Sequence, residues 1–162
     1  MENFKITKEM LKSGNILVSL IEKYNKEDNE NSKNNFRGVL RCLRDSTVIV
    51  PLNVKLSDED IEKIKNSNGR YFVSISNDIN IAADIIESND GDKYFPVFSQ
   101  KAQIPPKYGK NFNLLPIEFT TVIELAKTHD VKGIVVDPFT ENFIVPSDIY
   151  DAVKELPSEI EE

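Results

Sequence analysis

The side chains able to carry nucleophilic, acid–base or metal chemistry are few: one cysteine, Cys42, and one histidine, His129. Triad chemistry needs a nucleophile, a base and a group that orients the base, and the G-x-S-x-G turn that would expose a serine is absent. His129 falls where a helix is expected to end, a place where an imidazolium interacts well with the helix dipole, so it reads as a terminus residue rather than a base. Cys42 is flanked by Arg41 and Arg44, which would favour a thiolate. Its neighbours Val39, Leu40 and Leu43 instead place it on the buried side of a helix. A single cysteine and a single histidine cannot close a tetrahedral zinc site.

Carboxylates are plentiful but sit where local structure calls for them. Asp58 and Asp60 fall in the first turn of an expected helix, and Asp90 and Asp92 in an expected turn. The run Asn89-Asp90-Gly91-Asp92 lacks the alternating ligands and the closing glutamate of a calcium loop, and it reads as a hairpin turn instead. There is neither a G-x-x-x-x-G-K-[ST] loop nor a G-x-G-x-x-G turn to cradle phosphate. No catalytic, cofactor-binding or metal-binding residue is assigned, and the chain is not expected to be an enzyme.

Charge and composition narrow the partners. The 162 residues carry a formal net charge of −7, which opposes attraction to nucleic acid or anionic lipid and suits a basic protein partner, or simply solubility. No stretch approaches the roughly 18 apolar residues of a membrane span, and the amino terminus lacks the apolar run of a signal peptide. A lone cysteine permits no internal disulfide, so a cytoplasmic location is expected.

Periodicity supplies the elements that must position any site. Met10, Leu11, Leu17, Val18, Ile21 and Tyr24 predict one amphipathic helix over residues 7–26, capped by Thr7, with Gly14 allowing a close neighbour on its apolar face. Residues 25–35 read as a solvated loop. A short helix around Val39, Leu40 and Leu43 follows, then a strand Thr47-Val48-Ile49-Val50-Pro51-Leu52 that should end at Pro51 or lie at an edge at that point. A helix capped at Ser57 precedes three strands, over 71–75, 79–86 and 94–98, that predict an antiparallel meander. Residues 100–113 read as a surface excursion. Strand 114–117, a helix opened by a Thr121/Glu124 capping box, and strand 133–136 predict a parallel βαβ unit. A last strand, Phe143-Ile144-Val145, precedes a helix capped by Ser147, and an acidic tail over 158–162 should fray. The expected fold is a single α+β domain over 1–162, a mixed sheet packed against helices, with a sheet edge available for a homodimer.

Two motifs carry a family resemblance: Tyr94-Phe95-Pro96-Val97-Phe98-Ser99, and Gly133-Ile134-Val135-Val136-Asp137-Pro138-Phe139 with a helix between them. With the earlier strand ending in Val50-Pro51, they resemble the amino-terminal domain of the SseB family, named for enhanced serine sensitivity. Asp137 stands where that family usually has asparagine, and fuller members continue into a second domain. The resemblance implies a fold without a reaction. It directs attention to Phe98, Ser99, Asp137, Pro138 and Phe139, at the exits of two strands, where a rigid sheet commonly holds binding residues. The expected function is a non-catalytic binding or regulatory module acting on a protein partner. A small-molecule sensor in amino-acid metabolism and an enzyme using Cys42 or His129 stand as alternatives.

Overall fold

A computed structural model describes residues 6–26, 31–55, 58–59, 62 and 80–160. Thr7 Oγ1 accepts a hydrogen bond from Met10 N–H at 3.3 Å and caps a single turn, α1 (Lys8–Leu11). The expected continuous helix then breaks. Gly14 adopts φ +77°, which a right-handed helix does not contain, and α2 (Asn15–Lys26) starts afresh. The cause is a neighbour, since a Cβ on Gly14 would overlap Ser99 O. The close approach read from the sequence is present, but it ends the helix instead of fitting within it.

The expected loop over 25–35 is shorter than its polarity suggested. Helix α3 (Ser32–Asp45) begins inside it because Phe36 anchors the first turns, packing 5.6 Å from the ring of Tyr24 and 5.4 Å from that of Phe143. Val39, Leu40, Cys42 and Leu43 complete its buried face.

Strand β1 (Thr47–Lys55) is central, with β2 (Asn80–Ala83) on one side and β5 (Asn113–Glu118) on the other, both antiparallel. A second sheet holds β3 (Ile86–Glu87), β4 (Lys93–Val97), β6 (Gly133–Val136) and β7 (Phe143–Pro146) in the order β3-β4-β6-β7. One antiparallel bridge joins the sheets: Ile49 and Phe98 exchange N–H···O bonds of 2.8 and 2.9 Å. The strand therefore does not end at Pro51, the first of the two sequence readings, but runs on to Lys55; the second, an edge at that point, describes the side to which the proline nitrogen turns. Ile49 turns its backbone groups toward Phe98, and Pro51, two residues on, turns the same way. Its missing N–H falls between that bridge and the first β2 pair, Leu52 with Ala83, where no ladder bond is forfeited.

The expected meander is also redrawn. Of the strand expected over 79–86, the described residues 80–86 divide between β2 and β3, which serve different sheets, and the strand expected over 71–75 lies outside the described residues. The helix expected from Ser57 is described only at Asp58, Glu59 and Glu62. The β3–β4 hairpin forms as expected, with Gly91 at φ +87° and Ser88 N–H bonded to Asp92 O at 2.8 Å.

Helix α4 (Pro106–Gly109) and a 3₁₀ turn, Lys101–Gln103, lie in the excursion before β5. Helix α5 (Phe119–Lys127) starts two residues ahead of the expected Thr121 cap, because fully buried Phe119 pulls its first turn into the core and its N–H bonds Ser46 O at 3.0 Å. The parallel partner of β6 is β4 rather than β5, which pairs with β1 over six residues, while the Ile49–Phe98 bridge sets β4 on the other side of β1. The expected βαβ unit thus becomes a longer crossover. After β7 a 3₁₀ turn, Ser147–Ile149, precedes α6 (Tyr150–Lys154), and Ser147 makes no side-chain cap. The tail is docked through Ile160: Glu159 N–H bonds Asp45 Oδ2 at 2.8 Å, and Ile160 bridges Ile6.

Helices α2, α3, α5 and α6 bury their apolar faces against one core that includes Val48, Val50, Phe95, Val97, Ile134 and Val145. The result is a single α+β domain with mixed and antiparallel sheets. Substituting Gly14→Ala tests the contact that shapes its amino-terminal end. Left-handed backbone for a side-chain-bearing residue and overlap with a backbone oxygen together predict a loss of about 2–5 kcal/mol in urea denaturation.

Candidate functional site

Because β4 and β6 are parallel neighbours, their carboxyl ends open side by side. Five residues singled out from the sequence leave those ends: Phe98 and Ser99 after β4, Asp137, Pro138 and Phe139 after β6. Asp137 is fully buried and takes φ +54°, a left-handed conformation that aspartate and asparagine tolerate better than most residues. Its N–H continues the ladder to Val97 O at 2.9 Å. Its carbonyl accepts from Thr140 and Asn142 N–H at 3.1 and 2.9 Å, closing the turn to β7.

The Asp137 carboxylate faces Ser99. Oδ1 accepts the Ser99 N–H at 2.8 Å and Oδ2 accepts the Ser99 hydroxyl at 2.6 Å. Burial pushes the Asp137 carboxyl above its ordinary value, and the two bonds from Ser99 offset that only in part. Neutral donors can satisfy both oxygens, but they supply less stabilisation to a buried charge than a cation would.

The aromatic residues form the outer part of the site. Phe98 is buried and stacks on Phe139 with ring centres 6.2 Å apart and planes at 19°. Tyr108 packs against both and against Phe112. Its hydroxyl donates to Asp84 Oδ2 at 2.5 Å, and burial, reinforced by that carboxylate, raises the phenol well above its usual range. Phe139 remains 49% exposed.

Placing all five residues on one contact surface therefore needs correction. Phe98, Ser99 and Asp137 are buried beneath the strand exits and hold the turn from below, while half-buried Pro138 and exposed Phe139 reach the surface. The turn is also fixed from its sides. Asn25 Nδ2 donates to Glu141 O at 2.9 Å, and Thr140 Oγ1 donates to Gln103 Oε1 at 2.6 Å.

Two depressions flank this junction. One, of about 410 Å³, spreads over the outer face of β6 and β7 beside Phe139 and Pro138, with Ile86, Tyr94 and Ile144 in its apolar lining and Glu87, Asp90 and Asp92 on its rim. The other, of about 680 Å³, lies on the far side of Ser99 over β1 and β5. This second one has no signature in the sequence, because its lysines stand in unrelated segments and look like ordinary solvated charges.

A model of the SseB protein N-terminal domain matches residues 20–149. The chain belongs to the SseB family. No curated protein and no solved structure matches it. Within this SseB domain the two reactive residues considered first occupy structural positions. Cys42 is buried, its sulfur 3.7 Å from Ser46 Oγ, and burial raises its thiol pKa, the direction opposite to thiolate activation. Arg44, which was to have favoured a thiolate, bonds Leu156 O at 2.7 Å and pairs with Asp45. His129 follows α5, as read from the sequence, with Nδ1 3.0 Å from Leu125 O and its ring edge-on to Phe95. Among the described residues no group of three or more acids, cysteines or histidines could hold a metal, and no helix is long and apolar enough to cross a membrane.

The Ser99–Asp137 pair in this SseB domain makes two predictions. Asp137→Ala leaves the Ser99 N–H unsatisfied and places alanine in left-handed backbone, so a loss of about 2–5 kcal/mol is expected. Asp137→Asn keeps the backbone preference, with its carbonyl accepting from Ser99 N–H and its amide donating to Ser99 Oγ. The native carboxyl is raised on folding, so its contribution to stability is present below the ordinary value of 3.8 and is lost as pH rises through the folded value. Urea denaturation between pH 3.5 and 7.5 should show Asp137→Asn gaining on the native chain as pH rises. Parallel stability curves would mean that Asp137 titrates alike in the folded and unfolded states.

Proposed function

We propose that this SseB domain is a non-catalytic, cytoplasmic binding module whose partner is a protein presenting a basic segment with an apolar anchor. The reading rests on the surface beside Phe139. Phe139 and Ile144 are 49% and 36% exposed and lie in one depression with Tyr94 and Pro138. Large exposed apolar side chains gathered in one place suit a contact surface better than scattered ones do. Glu87, Asp90 and Asp92 border them, and although Asp92 pairs with Lys132 at 3.0 Å, the rim remains acidic on a chain of net charge −7. An apolar centre with an acidic border fits a basic partner, with the charges steering approach and the aromatic centre holding the complex.

A partner captured from the native host with the tagged domain, once purified, should be titrated against the native chain, Phe139→Ala and a Glu87→Lys/Asp90→Lys double variant. Both variants are expected to weaken binding at least tenfold, and native affinity should fall as salt is raised. Phe139→Ala should cost about 1 kcal/mol of fold stability through its lost ring contacts, so the variant remains folded. Failure to capture a partner, or an affinity indifferent to both substitutions and to salt, would count against the reading.

A further inference from the structure

We infer that the groove on the far side of Ser99 is a binding site for a small soluble anion with an apolar body. Its floor is the outer face of the β1–β5 pair, where Ile49 lies opposite Pro116 and Leu114 follows alongside. Leu11 of α1 adds to the apolar lining. The border is cationic: Lys8 and Lys12 come from α1 and the turn after it, and Lys101 from the 3₁₀ turn that follows Ser99. Three lysines around an apolar floor run against the acidity of the chain as a whole.

The charges in this groove do not cancel internally. Asp45, the one acid in its lining, is already occupied: its carboxylate pairs with Arg44 at 3.3 Å and accepts the Glu159 N–H at 2.8 Å, and its side chain is buried. Lys12 pairs with Glu9 at 2.9 Å in full view of solvent, where such a pair is weak. Lys8 and Lys101 have no ion pair among the described residues. A ligand carboxylate, sulfonate or phosphate would find uncommitted ammonium groups there, and its hydrocarbon part would cover Ile49, Leu114 and Pro116.

The groove is also held in shape before any ligand arrives, which lowers the ordering cost of binding. Gln100 Nε2 donates to Ser13 O and to Asn15 Oδ1, both at 3.0 Å, and Gly14 packs directly on Ser99 O. These contacts fix α1 as one wall. A volume of about 680 Å³ lies within the range of small-molecule sites, about 300–1,000 Å³. An extended peptide added to β5 is a poorer fit. Ile49 turns its backbone groups away from β5, so Pro116, its partner in register, presents its missing N–H to the edge that is open among the described residues.

Sodium decanoate is a suitable probe, with decyltrimethylammonium as the same tail under the opposite charge. Isothermal titration of the full chain should give saturable binding of one decanoate, no comparable binding of the cation, and a loss of roughly tenfold or more in a Lys8→Ala/Lys101→Ala variant. Phe139→Ala should bind decanoate as the native chain does, which separates this site from the acid-bordered patch. Equal affinity for both head charges, an unaffected double-lysine variant, or no saturable binding would overturn the proposal. So would sedimentation with phosphatidylglycerol vesicles by a chain that does not bind free decanoate, since that outcome assigns the lysines to a membrane surface.

Discussion

The architecture around the candidate site depends on a buried carboxylate bound to the neighbouring strand exit. Asp137 and Ser99 share two hydrogen bonds at the adjacent ends of parallel strands β4 and β6, and each residue carries a second constraint. The backbone of Asp137 receives the bonds that close the turn carrying Phe139. The carbonyl of Ser99 leaves no room for a side chain at Gly14, which breaks the first helix and sets α1 beside the sheet. An unpaired buried carboxylate would be destabilising by several kcal/mol. Pairing with Ser99 makes the charge tolerable, and losing either partner leaves a buried polar group that water cannot reach.

Sheet edges bear on how such a domain meets other proteins. With the sheets joined at Ile49 and Phe98, β5 and β7 are the outermost strands among the described residues. Pro116 directs its missing N–H outward on β5. On β7, Ser147 N–H reaches back to Lys132 O at 2.8 Å, so the preceding Pro146 faces the other way, toward the open side. A proline so placed interrupts the row of donors that an added strand would need. This argues against a homodimer paired through either of these two edges and favours contact through the faces, where Phe139 and Ile144 are exposed.

The sequence was most informative where one local cause acts alone. Thr7 caps its turn, the Asn89–Asp92 segment makes its hairpin, and His129 lies just past its helix, because each depends on residues only a few positions away. It misled where a distant residue decides. Gly14 was placed on the apolar face of one long helix, but whether that helix continues depends on Ser99 O, 85 positions further along. Pro51 was compatible with a strand end or a local edge, and the pairing gap that decides for the edge lies between Phe98 and β2. Residues 114–117 and 133–136 have the spacing of a βαβ unit, yet β1 stands between β5 and the β4–β6 pair through pairings with residues distant in the chain. At the site, resemblance pointed to the exits of β4 and β6, but type alone could not separate the buried side chains, Phe98, Ser99 and Asp137, from the exposed Phe139. The lysine-bordered groove has no local signature at all.

Ser99 and Asp137 stand between the two surface depressions, which invites the idea that one surface senses the other. The geometry argues for independence. Transmission between sites needs an element with two arrangements of similar energy, biased differently by each ligand. Ser99 has its N–H and hydroxyl bound to Asp137 and its carbonyl pressed against Gly14, while the turn beyond Asp137 is anchored by Asn25 and Gln103. Moving Ser99 would break both bonds to a buried carboxylate without offering replacements, so a second arrangement lies well above the first. A junction satisfied on every side behaves as a rigid divider, and binding at either face is expected to leave the affinity of the other unchanged.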